Sequence, residues 1–291
     1  MKKITKITFL AVLVSVIVTS GLFAGFFYFV NSPFKAKYYF DKAYSLDEQN
    51  PQGSVDALKY YKKAIKTYEA IGDKNGVISS YIHLGLLHFK FGNRLQVERC
   101  VLTALNLGEE NIPRNLKAKA YLLIAGISEP QKSREYIDKA LAISVQDDLK
   151  PQITKAYYLM GKSYEYEANF EEAEKSYLKA VKIINDYPST AYFMDIVSLY
   201  ESLGEIYIGD GKTDEAIKYY DDALAYSFKD DESMVTAHYM KVLGDLYMQK
   251  KEIKKACEFW RKSEDTYAYI GRGHTLSSGE VSIPQECKNI S

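Results

Sequence analysis

The hydrophobic pattern divides the chain into two unlike parts. From Ile7 to Ser32 there is no charged residue, and the apolar heart, Phe9 to Val30, is 22 residues long. As a helix rising ~1.5 Å per residue it reaches ~33 Å, enough to cross a hydrocarbon core of ~30 Å. A core helix of a water-soluble domain is rarely apolar on every face. From Pro33 onward the pattern changes. Apolar and small residues recur at three- and four-residue spacing, and the polar positions between them carry most of the charge. That is the period of amphipathic helices, so the expected fold is all-α: an N-terminal transmembrane helix followed by an α-solenoid of about six helical hairpins.

The boundary reads Asn31-Ser32-Pro33. Ser32 is a helix cap and Pro33 suits the first turn. A cleaved signal peptide competes with an uncleaved signal anchor, since Val18-Thr19-Ser20 has the small residues of a cleavage site. The anchor is favoured because Leu22 to Val30 carries the apolar run past that point. No cysteine follows the run, which excludes bacterial lipoprotein processing. Lys2, Lys3 and Lys6 on one side, against Lys35, Lys37 and Lys42 on the other, slightly favour an N-terminus inside. The body is then expected in the periplasm of a bacterium, attached to the inner membrane, with the mitochondrial inner membrane as the alternative. Gly21 and Gly25 have the GxxxG spacing that brings two membrane helices together in a homodimer. The division expected is 1–32 for a short cytosolic N-terminus and anchor, 33–270 for the solenoid, and 271–291 for a non-helical tail.

The body repeats itself. Tyr157 to Gly161 is followed by Tyr164, Ala173, Tyr177 and Ala180, and Tyr200 to Gly204 by Tyr207, Ala216, Tyr220 and Ala223. The same offsets return in Met240, Leu243, Gly244, Tyr247, Ala256, Trp260 and Ser263. They return again in Tyr81, Leu84, Gly85, His88, Val97, Val101 and Ala104. Two weaker units contain Ala57, Tyr61 and Ala64, after a long turn from Asp47 to Gly53, and Ala120 to Ala125 with Ile137 and Ala140. In the latter one helix is expected to be a turn short, with Pro130 starting the next. The markers Gly85, Ala125, Gly161, Gly204 and Gly244 stand 40, 36, 43 and 40 residues apart.

These positions resemble the tetratricopeptide repeat, which places a small residue at position 8, a large one at 11, Ala at 20, an aromatic at 24 and Ala at 27. The resemblance covers the body of the chain, with units longer than the basic ~34 residues, as in kinesin light chains. It implies that the first helix of each hairpin lines a concave, peptide-binding groove. By that resemblance the groove residues are Ile82, Leu86 and Phe89; Tyr158, Lys162, Glu165 and Tyr166; Glu201 and Glu205; and His238, Lys241 and Asp245. The chaperone-binding members hold a C-terminal carboxylate with a Lys and an Asn at positions 5 and 9. Position 9 here holds Leu86, Gly126, Lys162, Glu205 and Asp245, so that clamp is not expected.

Composition narrows the chemistry. With 38 basic and 38 acidic residues the formal charge is zero, which argues against nucleic acid as the main partner. Tyrosine is abundant at 26 copies, fitting half-buried helix faces. No catalytic motif and no Cys/His cluster occurs, so no enzyme, metal or cofactor is expected. Cys257 lies on the last hairpin and Cys287 in the tail. In an oxidising compartment they would bond and staple the tail as a cap; otherwise Cys257 is buried and Cys287 is a free thiol. Cys100 is left as a small hydrophobe. The expectation is a membrane-tethered adaptor or scaffold that binds a partner protein or peptide in its groove, for complex assembly, secretion or quality control. A peptide or small-ligand sensor and a self-assembling structural solenoid are the alternatives.

Overall fold

A computed structural model describes residues 32–49, 54–188, 193–227, 234–271 and Cys287. They form twelve α-helices and one short 3-10 turn, Glu109–Asn111, with no strand among the described residues. The helices fall into two compact units divided after Ser128. The first holds α1 (Pro33–Gln49), α2 (Val55–Ile71), α3 (Lys74–Lys90), α4 (Arg94–Gly108) and α5 (Arg114–Ala125). The second holds α6 (Pro130–Gln146), α7 (Lys150–Tyr166), α8 (Phe170–Asp186), α9 (Phe193–Gly209), α10 (Thr213–Ser227), α11 (Met234–Gln249) and α12 (Ile253–Gly271). The expected anchor at 9–30 and the Gly21/Gly25 pair lie outside the described residues. Among the described residues no helix is long and apolar enough to cross a membrane.

The helix starts follow the local chemistry. Ser32 Oγ accepts from the Lys35 amide at 3.2 Å, which opens α1 at Pro33. Pro130 opens α6, and α5 before it has 12 residues, against 15 to 19 in the other helices. Asp47 belongs to α1 and not to the turn expected there. It is largely buried and takes the Lys90 ammonium of α3 at 2.6 Å.

Four hairpins share one connection of three residues: 91–93, 167–169, 210–212 and 250–252. The middle residue is left-handed in each, Gly92, Ala168, Gly211 and Lys251 at φ 67°, 56°, 71° and 62°. The next amide then reaches back to the carbonyl of His88, Tyr164, Tyr207 or Tyr247 at 2.9 Å. This is a Schellman closure, which satisfies the last carbonyls of one helix while turning the chain into the next. Glycine adopts that φ freely; Ala168 and Lys251 hold it at a steric cost.

The small and aromatic repeat positions make the core. Ala57, Ala64, Val97, Ala104, Ala173, Ala180, Ala216, Ala223, Ala256 and Ser263 are all fully buried. Ser263 meets the cost of burying a hydroxyl by donating to the Ala237 carbonyl at 2.7 Å. The first-helix glycines explain how the second helix comes so close. A Cβ on Gly161 would sit 2.3 Å from the Tyr177 ring, on Gly204 2.6 Å from Tyr220, and on Gly244 2.5 Å from Trp260. Each aromatic therefore lies in the space of the missing side chain. In the first unit, Gly85 instead faces Leu123, Cys100 and Val101 at 3.1 to 3.5 Å, because no aromatic occupies the matching position. Burial holds the Cys100 thiol up at about 11, so it behaves as an apolar side chain.

Candidate partner-binding face

In the second unit the first helices α7, α9 and α11 each present polar residues at three- and four-residue spacing. These are Lys162 and Glu165, then Glu201 and Glu205, then His238, Lys241 and Asp245. Such spacing places them on one face of each helix. Three of the carboxylates are held by an aromatic donor from a neighbouring helix. Tyr177 on α8 donates its hydroxyl to Glu165 Oε2 at 2.5 Å. Trp260 Nε1 on α12 donates to Asp245 Oδ1 at 2.9 Å. Tyr239 on α11 donates to Glu201 Oε2 at 3.1 Å, across two successive repeats. Lysines share two of them: Lys162 meets Glu165 at 2.7 Å and Lys241 meets Asp245 at 3.2 Å.

Glu205 has no such donor among the described hydrogen bonds. Burial first, then the carboxylates of Glu201 and Glu165, raise its pKa above the ordinary carboxylate value, opposed by Lys162 and His238. Glu205 is thus close enough to feel all four of these groups. The face has a negative centre at Glu165, Glu201 and Glu205, and its charge is only partly compensated from within the unit. The hydroxyls beneath are neutral anchors: burial, followed by Glu165, drives Tyr177 upward, and burial, followed by Glu205 and Glu201, does the same for Tyr220.

The other groove residues are placed differently. Tyr158 is half-buried with its ring 6.2 Å from Tyr177, and Tyr166 is 78% exposed. In the first unit Ile82 is fully buried, which corrects its expected place in the groove. The reason is that α3 is packed by α1, α2, α4 and α5, which leave Ile82 no exposed side. Leu86 is half-buried and Phe89 is 38% exposed. The Phe89 ring lies over Gly126, where a Cβ would come within 3.3 Å. Phe40 and Tyr44 of α1 pack edge-to-face with the His83 ring, at 5.1 and 5.8 Å between ring centroids. Among the described residues no group of His, Cys, Asp or Glu is arranged to hold a metal ion.

Sequence reasoning placed Tyr177 and Trp260 as packing residues and missed their second role as hydrogen-bond donors. A signal existed: each has an acid 12 or 15 residues upstream, Glu165 and Asp245. Tyr239 offers no comparable local cue, because its acceptor is 38 residues away.

Stacked helical hairpins with a polar first-helix face define a protein-interaction scaffold of the helical-repeat class. Within it, residues 154–187 and 199–232 each match the tetratricopeptide repeat family. The CTR9 homolog of Arabidopsis thaliana is 26% identical over 149 residues, 50% of this chain and 12% of that protein. The 43 kDa receptor-associated protein of the synapse of Tetronarce californica is 29% identical over 125 residues, 43% of this chain and 30% of that protein. The chain thus spans less than a third of the length of either relative. Among solved structures, a Rap protein complexed with competence and sporulation factor shares the fold. Its TM-score is 0.61 at 16% identity, over 82% of this chain and 71% of that one.

Proposed function

We propose that this chain is a membrane-tethered adaptor that binds a segment of a partner protein on the α7/α9/α11 face, through cationic and hydrogen-bonding side chains. The observation that carries the reading is the row of carboxylates fixed by aromatic donors. Glu165, Glu201 and Asp245 are oriented before any partner arrives, so little ordering cost remains to be met on binding. A cation over Glu205 would favour its charged form against the burial, and then the repulsion from Glu201 and Glu165, that raise its pKa. The Rap protein that shares this fold is complexed with competence and sporulation factor, which supports a ligand-binding reading of the scaffold. Tethering rests on the 22 apolar residues from Phe9 to Val30. It would hold the face near the bilayer, raise the local concentration of partner, and offset the modest strength of individual surface ion pairs. The flanking lysines favour the repeats lying across the membrane from the N-terminus, in a periplasm or an equivalent space. Complex assembly, secretion and quality control are the tasks that suit this placement.

The test is site-specific photo-crosslinking of the full chain in its own membrane, with the crosslinker at position 205 or, for comparison, at Lys175 on the outer helix α8. A discrete partner should appear from position 205 alone. The adduct should weaken with salt and fall roughly tenfold in Glu201→Gln/Glu165→Gln, given ~0.2–1 kcal/mol per exposed charge pair. Equal adducts from both positions, or indifference to charge removal, would refute this face.

A further inference from the structure

Tyr61 of α2 is fully buried, yet its hydroxyl has no hydrogen-bond partner among the described residues. The second unit shows what that hydroxyl lacks. Tyr61 follows Ala57 by four residues as Tyr177 follows Ala173, and Asp47 follows Ala43 by four as Glu165 follows Gly161. Tyr177 donates to Glu165, whereas Asp47 is taken by the Lys90 ammonium at 2.6 Å. The Tyr61 hydroxyl still lies on that side: after burial, the groups that raise its pKa are Asp47, Tyr44 and Glu48. Three rings stand beside it. Phe40 packs edge-to-face with Tyr61 and His83 at 5.8 and 5.1 Å between centroids, His83 stacks on Tyr61 at 6.2 Å, and Tyr44 meets His83 at 5.8 Å. Tyr44 is 41% exposed and Phe40 and His83 are half-buried, so the cluster reaches the surface. His83 Nδ1 lies 2.8 Å from the Ser79 carbonyl, which can only accept, so Nδ1 carries the proton. Burial lowers the His83 pKa below the ordinary histidine value, with Lys119 acting in the same sense against the Ser79 carbonyl and Asp47. The ring is therefore neutral at neutral pH and its Nε2 is an acceptor.

We infer that this cluster is a second binding site, separate from the carboxylate row, and that it receives the side chain of a tyrosine carried by a partner segment. The guest ring packs against Phe40 and Tyr44, the latter turning aside at the rim to admit it. The guest hydroxyl accepts from Tyr61 and donates to His83 Nε2. A phenol does all of this at once: phenylalanine offers the ring alone, and a tryptophan N–H donates but cannot accept. Charge does not favour an ionic guest. The charged groups that act on Tyr61 and His83 are Asp47, Glu48 and Lys119, and Asp47 is paired with Lys90, so neither sign is in excess. Folding has already stripped water from the Tyr61 hydroxyl, so the bond to the guest forms without a further desolvation cost on that side. The site lies wholly in the first unit and depends neither on the anchor nor on the α7/α9/α11 face.

The experiment uses the full chain in lipid nanodiscs, with empty nanodiscs as the blank. Short peptides with glycines flanking one central Tyr, Phe, Leu, Arg or Glu are titrated and read by saturation-transfer NMR on the peptide. The tyrosine peptide should bind with a dissociation constant of millimolar order, and the phenylalanine peptide roughly three- to tenfold more weakly, as one hydrogen bond is worth. The leucine, arginine and glutamate peptides should be weaker still. Tyr61→Phe should bring the tyrosine peptide down to the level of the phenylalanine peptide and leave the latter unchanged. That variant removes only an unpartnered hydroxyl, so lost binding cannot be mistaken for lost structure. Tyr44→Ala, at the exposed rim, should weaken both peptides alike. A Tyr61→Phe chain that still prefers tyrosine over phenylalanine would overturn the role of the hydroxyl. Tighter binding of the arginine or glutamate peptide, or no binding of the tyrosine peptide, would overturn the site. Crosslinking from position 205 reports the other face, so either reading can fail without the other.

Discussion

Gly161→Ala tests the packing rule on which the second unit is built. The added methyl would lie 2.3, 2.4 and 2.7 Å from three atoms of the Tyr177 ring. That ring has no retreat: Tyr177 is fully buried and its hydroxyl is bonded to Glu165. Overpacking of this kind costs ~1–3 kcal/mol. The helical preference of Ala over Gly returns ~1 kcal/mol, leaving a net loss of up to ~2 kcal/mol. Gly209 is the control, because it ends α9 with nothing within 4 Å of an added methyl, and Gly209→Ala should be neutral or gain up to ~1 kcal/mol. The assay is urea unfolding of both variants followed by circular dichroism. With a slope of ~2 kcal/mol per molar, Gly161→Ala should move the midpoint down by up to ~1 M. Combining it with Tyr177→Leu should cost less than the sum of the single changes, since the smaller side chain vacates the clash. If Gly161→Ala proved as benign as Gly209→Ala, the close approach of α7 and α8 would not be what the glycine is for.

Three further outcomes follow from other sites. Tyr61 is fully buried with no hydrogen-bond partner for its hydroxyl among the described residues, so Tyr61→Phe should stabilise the first unit by ~1 kcal/mol in a thermal melt. Arg134 of α6 forks onto Glu167 at 3.0 Å, reaches Ser163 at 2.8 Å and covers the Tyr164 ring at 4.8 Å. Arg134→Ala should therefore cost ~1–2 kcal/mol in chemical denaturation, and Arg134→Lys should recover less than half, because an ammonium cannot make the fork. Glu205 has its folded pKa raised, mainly by burial and then by Glu201 and Glu165. A raised carboxylate binds its proton more tightly folded than unfolded, so its charge lowers stability above that window and the loss disappears on acidification. Glu205→Gln should accordingly be more stable than the parent at pH 7 and equal to it near pH 4, and a stability gap independent of pH would contradict the assignment.

Much of the architecture was readable because the repeat writes the same packing problem several times. Gly161 with Tyr177, Gly204 with Tyr220 and Gly244 with Trp260 announce one hairpin geometry through their spacing alone. Pro130 and the short α5 were likewise visible as a missing turn. The misreadings arose where neighbours are distant in sequence. Ile82 has the register of a groove residue, yet the helices surrounding α3 bury it. Asp47 has the composition of a turn, but Lys90, 43 residues on, gives a buried carboxylate its partner and lets α1 continue. The carboxylate row was legible as charged positions on first helices. Its orientation was not, because a phenol reaching an acid depends on helix crossing and not on residue type.

The hydrogen bonds from Tyr207 to Glu174 and from Tyr239 to Glu201 have a consequence for mechanics. Each joins a helix of one hairpin to the hairpin before it, so the hairpins of the second unit are rungs tied to their neighbours. Pulling on one rung loads the next before it slips. Tension applied by a bound partner would be shared along α8, α9 and α11, and the unit would yield in a few large steps instead of unravelling one hairpin at a time.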